Sequence, residues 1–91
     1  MHYVYLIHFT RPYKRVQHYL GVTNNVENRM KRHKRGDGAT LMRAVSKAGI
    51  EFQAFVLHEF HDSSTAFKMG KKYKSWHNHK KLCPICKQIG G

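Results

Sequence analysis

Two runs of strand-forming residues at the start of the chain restrict its fold more than any other feature. Tyr3-Val4-Tyr5-Leu6-Ile7 consists of β-branched, aromatic and aliphatic side chains, and Val16 to Val22 has a similar character. Such residues suit a pleated, half-buried surface. Arg11-Pro12-Tyr13-Lys14 lies between them and is expected to break the first run. The pair therefore reads as an antiparallel β-hairpin. Alternate side chains of a strand share a face, which groups Tyr3, Tyr5 and Ile7 on one strand and Tyr19 with Gly21 on the next.

The rest of the chain supplies three helices and one more strand. Asn24 is expected to cap a first helix, Val26 to Lys34, with Glu27 closing a capping box. This helix carries Arg29, Lys31, Arg32, His33 and Lys34, and Gly36 stops it. Arg29 and His33 stand one turn apart on the same face. A second helix, about Thr40 to Ala48, has an apolar stripe of Leu41, Ala44, Val45 and Ala48. Phe52 to Phe60 is a third strand, and its near-continuous apolar character predicts a central position. Asp62-Ser63-Ser64 offers an N-cap for a third helix, roughly Thr65 to His77, with Ala66, Met69, Tyr73 and Trp76 as its stripe. The order β-β-α-α-β-α predicts an α+β domain with a small three-stranded antiparallel or mixed sheet flanked by three helices. Residues 1–77 form the body of this domain. Residues 78–91 are a basic tail of the same unit.

Charge narrows the choice of partner. Seventeen Lys and Arg face five acids, a net charge of +12, and no acid lies beyond residue 62. Self-repulsion of this size opposes folding, so a polyanionic partner is expected, nucleic acid first and an anionic membrane surface second. No apolar run is long enough for a membrane-spanning helix. The N-terminus passes straight into strand pattern without the charged and apolar regions of a secretory signal, which predicts an intracellular setting.

The hairpin and first helix together resemble the GIY-YIG nuclease family. The residues concerned are Tyr3-Val4-Tyr5, Tyr19-Leu20-Gly21, and the Asn-capped segment from Thr23 to His33 with Arg29. The first motif is degenerate, because Tyr3-Val4 stands for Gly-Ile. The resemblance runs from about Tyr3 to Trp76 and implies a DNA endonuclease acting on single- or double-stranded DNA, with no role for a membrane. By the same resemblance Tyr5 or Tyr19 would be the general base for water, and Arg29 would grip phosphate and supply positive charge. His33 would assist proton transfer or contact phosphate. A free phenol has a pKa near 10, so it needs such a neighbouring charge to act as a base. Lys31 and Arg32 on the first helix, and Lys71, Lys72 and Lys74 on the third, would hold the DNA backbone without reading sequence.

One position departs from the family. The resemblance implies a Glu on the third helix that holds Mg2+ or Mn2+, and the alignment puts Gly70 there. The predicted helix has no acid at all. Gly70 either replaces a Glu and impairs the enzyme, or the natural chain binds nucleic acid without cutting it or recruits Glu59 or Asp62 instead. The tail holds a separate candidate. Cys83-Pro84-Ile85-Cys86 is a C-x2-C knuckle that, with His77 and His79, has the donor types of a zinc site. His8, His18, His58 and His61 flank strands and read as surface or satisfied core residues, and Trp76 reads as core.

Overall fold

The computed structural model describes residues 1–37, 39–75 and 82–85. At its centre lies β1 (His2–Tyr13), in which Val4 to Phe9 are buried without a break. A run buried at every position belongs to a strand covered on both faces. β1 pairs antiparallel with β2 (Val16–Thr23) on one side and with β3 (Phe52–Phe60) on the other, giving the order β2-β1-β3. The sheet is wholly antiparallel.

Two strand expectations are corrected. β3 is an edge strand, not the central one, and its Val56 is 48% exposed. β1 also does not break at Arg11-Pro12. It continues to Tyr13, and Lys14 turns the chain in the left-handed region at φ 57°. Proline is tolerated there because the β1–β2 register shifts between His8 and Tyr13, and pairing with β3 ends at Phe9. The ladder asks no N–H of residue 12.

α1 (Val26–Lys34) is capped by Asn25 rather than Asn24. The Asn25 side chain accepts from the Asn28 N–H at 3.0 Å, while the Thr23 hydroxyl accepts the Asn25 N–H at 3.2 Å and sets the turn one residue later. Glu27 makes no capping box. It lies 3.9 Å from Lys31 at the exposed surface. α2 (Thr40–Lys47) buries Met42 and Val45, whereas Ala48 of the expected stripe is exposed. α3 (Ser63–Lys74) starts at Asp62, whose carboxylate accepts from the Thr65 N–H and hydroxyl, both at 2.9 Å. Those bonds hold the Asp62 pKa below the usual carboxylate range. The helix ends at Lys74, short of the expected His77, and Trp76 lies outside the described residues.

Strand alternation sends the central side chains into two cores. Tyr5, Ile7 and Phe9 pack with Met42, Val45 and Ile50, and Met30 of α1 joins them. Val4, Leu6 and Leu20 pack with Tyr73 of α3 and with Cys83, and Leu82 and Ile85 join them. The molecule is thus three layers: α1 and α2, the sheet, then α3 with residues 82–85. Among the described residues no helix is long and apolar enough to cross a membrane.

Candidate active site

β2 is an edge strand, so α1 on one face of the sheet and α3 on the other approach each other around it. A cleft of about 270 Å³ opens there. The hairpin contributes Tyr5, Tyr19, Gly21 and Val22, α1 contributes Arg29, and α3 contributes Phe67, Gly70, Lys71 and Lys74. A larger depression of about 490 Å³ beside Thr10, Lys34 and Ser46 contains none of the predicted site residues.

The inner end of the cleft is set by Tyr5. It faces Gly21 across the ladder, and its ring lies over the glycine so closely that an added Cβ would sit 2.5 Å from Cζ and closer still to the hydroxyl. Glycine at position 21 is therefore a condition for the Tyr5 ring to lie flat on β2. The Tyr5 hydroxyl reaches His33 Nε2 at 3.0 Å. Tyr19 completes an aromatic cluster, with its ring centroid 6.4 Å from Tyr5 and 5.5 Å from His33, edge-on to the latter.

Burial and charge set the protonation of this cluster. Burial, and secondarily the Tyr19 neighbour, raise the Tyr5 pKa well above the usual phenol value, although Arg29 opposes the shift. Burial first, then Arg29 and Arg32, lower His33 to about 4. Tyr5 thus keeps its proton and His33 stays neutral near neutral pH. These states are consistent with Tyr5 O–H donating to Nε2 and with the proton of His33 on Nδ1. His33 Nδ1 is itself buried without a hydrogen-bond partner among the described residues. Tyr5 is fully buried, whereas Tyr19 and Arg29 are half-buried. The more accessible phenol of the pair is therefore Tyr19.

The family profile described as the GIY-YIG catalytic domain matches residues 1–82 of the 91-residue chain. The chain belongs to the GIY-YIG family. No curated protein and no solved structure matches it. In this GIY-YIG domain Tyr19 supplies a ring that lines the cleft, and Gly21 admits the ring of Tyr5.

The four expected catalytic positions, Tyr5, Tyr19, Arg29 and His33, are brought together, and Tyr5, Tyr19 and Arg29 line one cleft. Of the five cations assigned to the backbone, Lys71 and Lys74 line the cleft. Lys31, Arg32 and Lys72 are exposed but do not line it. Gly70 is buried at the cleft wall, and a Cβ there would meet Val22 Cγ2 at 2.6 Å. Neither alternative carboxylate lines the cleft. Asp62 caps α3 about two turns from Gly70, and Glu59 lies on the far edge strand.

A hard divalent ion takes oxygen ligands, carboxylates foremost. Among the described residues no carboxylate lines the cleft, while Arg29, Lys71 and Lys74 all do. The residues present do not fit a Mg2+ or Mn2+ ion. For the expected zinc set, His77, His79 and Cys86 lie outside the described residues. Cys83 is described, and its buried thiol lies 3.3 Å from His8 Nδ1. Sequence reasoning set His8 and His18 aside as strand-flanking histidines, yet they face each other across β1 and β2. The available signal was their equal spacing from Tyr5 and Gly21, three residues along each strand. Phe67, 57% exposed at the cleft, was also missed, because it lies off the apolar stripe of Ala66, Met69 and Tyr73.

Proposed function

We propose that this GIY-YIG domain is an endonuclease fold that grips a DNA backbone phosphate in the cleft between Tyr19, Arg29 and α3, and that glycine at position 70 disables its metal-dependent cleavage. The observation that supports this reading is the gathering of Tyr5, Tyr19 and Arg29 on one cleft whose wall also contains Gly70. Arg29 presents a planar fork of donors to two phosphate oxygens, the geometry that suits bidentate binding. Lys71 and Lys74 attract the flanking phosphates as point charges. Tyr19 shares the cleft with Arg29, and its hydroxyl orients water at the bound phosphate. Tyr5 and His33 act behind it, as a neutral hydrogen-bonded pair that fixes the floor. Metal-assisted cleavage needs a carboxylate, and among the described residues none lines this cleft.

A second reading, a non-catalytic nucleic-acid-binding protein on the same fold, draws support from the close seating of Gly70 on Val22, which leaves no room for a longer side chain. One experiment separates the two. The protein should bind single- or double-stranded DNA and leave it intact with Mg2+ or Mn2+. Gly70→Glu combined with Val22→Ala, which clears the space, should cut DNA when Mg2+ or Mn2+ is added. Adding Arg29→Ala to that pair should abolish cutting while retaining most of the binding. A folded, DNA-binding Gly70→Glu/Val22→Ala protein that leaves DNA intact would defeat the endonuclease reading in favour of the binder.

A further inference from the structure

His8 and His18 are directly opposed in the β1–β2 ladder, on the sheet face that packs against α3. His8 Nδ1 and His18 Nε2 are 3.2 Å apart, and Cys83 Sγ is 3.3 Å from His8 Nδ1. One donor atom from each of the three lies within 4.8 Å of the others. Cys83 and His8 are buried, and His18 is half-buried. None of the three lines the Tyr19–Arg29 cleft.

We propose that His8, His18 and Cys83 bind a transition-metal ion of the zinc class, and that the ion fastens the segment after α3 to the hairpin. Tetrahedral zinc with ordinary bond lengths places two imidazole nitrogens about 3.3 Å apart and a nitrogen and a thiolate about 3.6 Å apart. The observed 3.2 and 3.3 Å lie close to those edges. A ring nitrogen carries either one proton or one in-plane lone pair. His8 Nδ1 faces two heteroatoms at once, an arrangement that an ion at the shared point serves better than one ring proton divided between them. Two imidazoles and a thiolate favour zinc, cobalt or copper over magnesium or calcium. Binding takes the thiolate form, so the Cys83 proton is released to solvent as the sulfur–metal bond forms. Three protein donors leave the fourth position for water or a further ligand. Cys86 lies outside the described residues and is not needed to define the site.

This inference is independent of the nuclease reading. It concerns residues that do not line the cleft and a soft ligand set, and it holds whether or not the cleft cuts DNA. It shares only Cys83 with the tail set, since its histidines come from the hairpin and not from His77 and His79.

The test uses the full chain without an affinity tag, expressed in zinc-supplemented medium and analysed by elemental mass spectrometry. About one zinc per chain is expected. Replacement by Co2+ should give the visible bands of a tetrahedral site and a thiolate-to-cobalt charge-transfer band, which Cys83→Ser removes. His18→Gln, at the most exposed of the three positions, should cut the zinc content at least about fivefold. The His77→Gln/His79→Gln pair should retain it. Less than about a tenth of an equivalent of zinc in the unaltered chain, together with no Co2+ spectrum, would overturn the proposal. So would loss of metal in the His77→Gln/His79→Gln protein with retention in the His18→Gln protein. The unaltered chain decides the first point even if Cys83→Ser fails to fold.

Discussion

The Tyr5–His33 pair joins the hairpin to α1 through one buried hydrogen bond. Removing the hydroxyl by Tyr5→Phe leaves His33 Nε2 buried and unsatisfied. A loss of about 1–3 kcal/mol is expected from urea unfolding. His33 also makes stability depend on pH. In the unfolded chain it takes up a proton as pH falls through about 6.5. In the folded chain burial and the nearby arginines delay protonation to about 4. Between these values the unfolded state holds more protons, so this contribution is complete above about pH 6.5 and declines as pH drops toward about 4. His33→Gln should flatten that part of the profile, as read from urea midpoints at about pH 7.5 and about pH 4.5. At this scale the sequence was informative wherever a motif fixed the spacing. Tyr5, Tyr19, Arg29 and His33 were all legible through the resemblance to the family motif, with strand alternation and the helical turn showing which of them share a face within each element. His8 and His18 were not, because nothing local to either histidine reveals that Cys83, more than sixty residues further on, returns to them.

At the scale of elements, the approach of α3 to β2 decides the width of the cleft. Glycine inside a helix costs roughly 1 kcal/mol relative to alanine. Propensity alone therefore predicts that Gly70→Ala stabilises the protein. The Val22 methyl group at 2.6 Å from the new Cβ reverses that expectation, because valine is stiff at χ1 and has little freedom to turn aside. Gly70→Ala should destabilise by about 1–3 kcal/mol as overpacking does. In a Val22→Ala background the same change should become neutral or stabilising, and a double-mutant cycle of thermal or urea unfolding measures the difference. Element bounds were read well for α1 and β3, where caps and apolar runs are local signals. The Asn24 cap was misplaced by one residue because the choice between two adjacent asparagines rests on the Thr23 hydroxyl. The end of β1 was misread because proline breaks a strand only where a partner needs its N–H.

At the scale of the whole molecule, the position of a strand in its sheet escaped the sequence. β3 is as apolar as β1, but α1 and α2 cover one face of β1 and α3 covers the other, so β1 takes the centre. Periodicity reports how often a side chain turns inward, and not which strand lies between two neighbours. The charge of +12 was legible from the start, and its consequence belongs to this scale. Each phosphate contact contributes about 0.7–0.9 to the slope of log affinity against log salt concentration. Lys71→Ala with Lys74→Ala should lower that slope by about 1.5 and weaken binding similarly for unrelated DNA sequences, as fluorescence anisotropy across a salt series would measure.

The seating of Gly70 against Val22 also ties two distant codons together. A bulkier residue at position 70 is not gained by changing that codon alone. Room for it has to be made first on β2, at position 22.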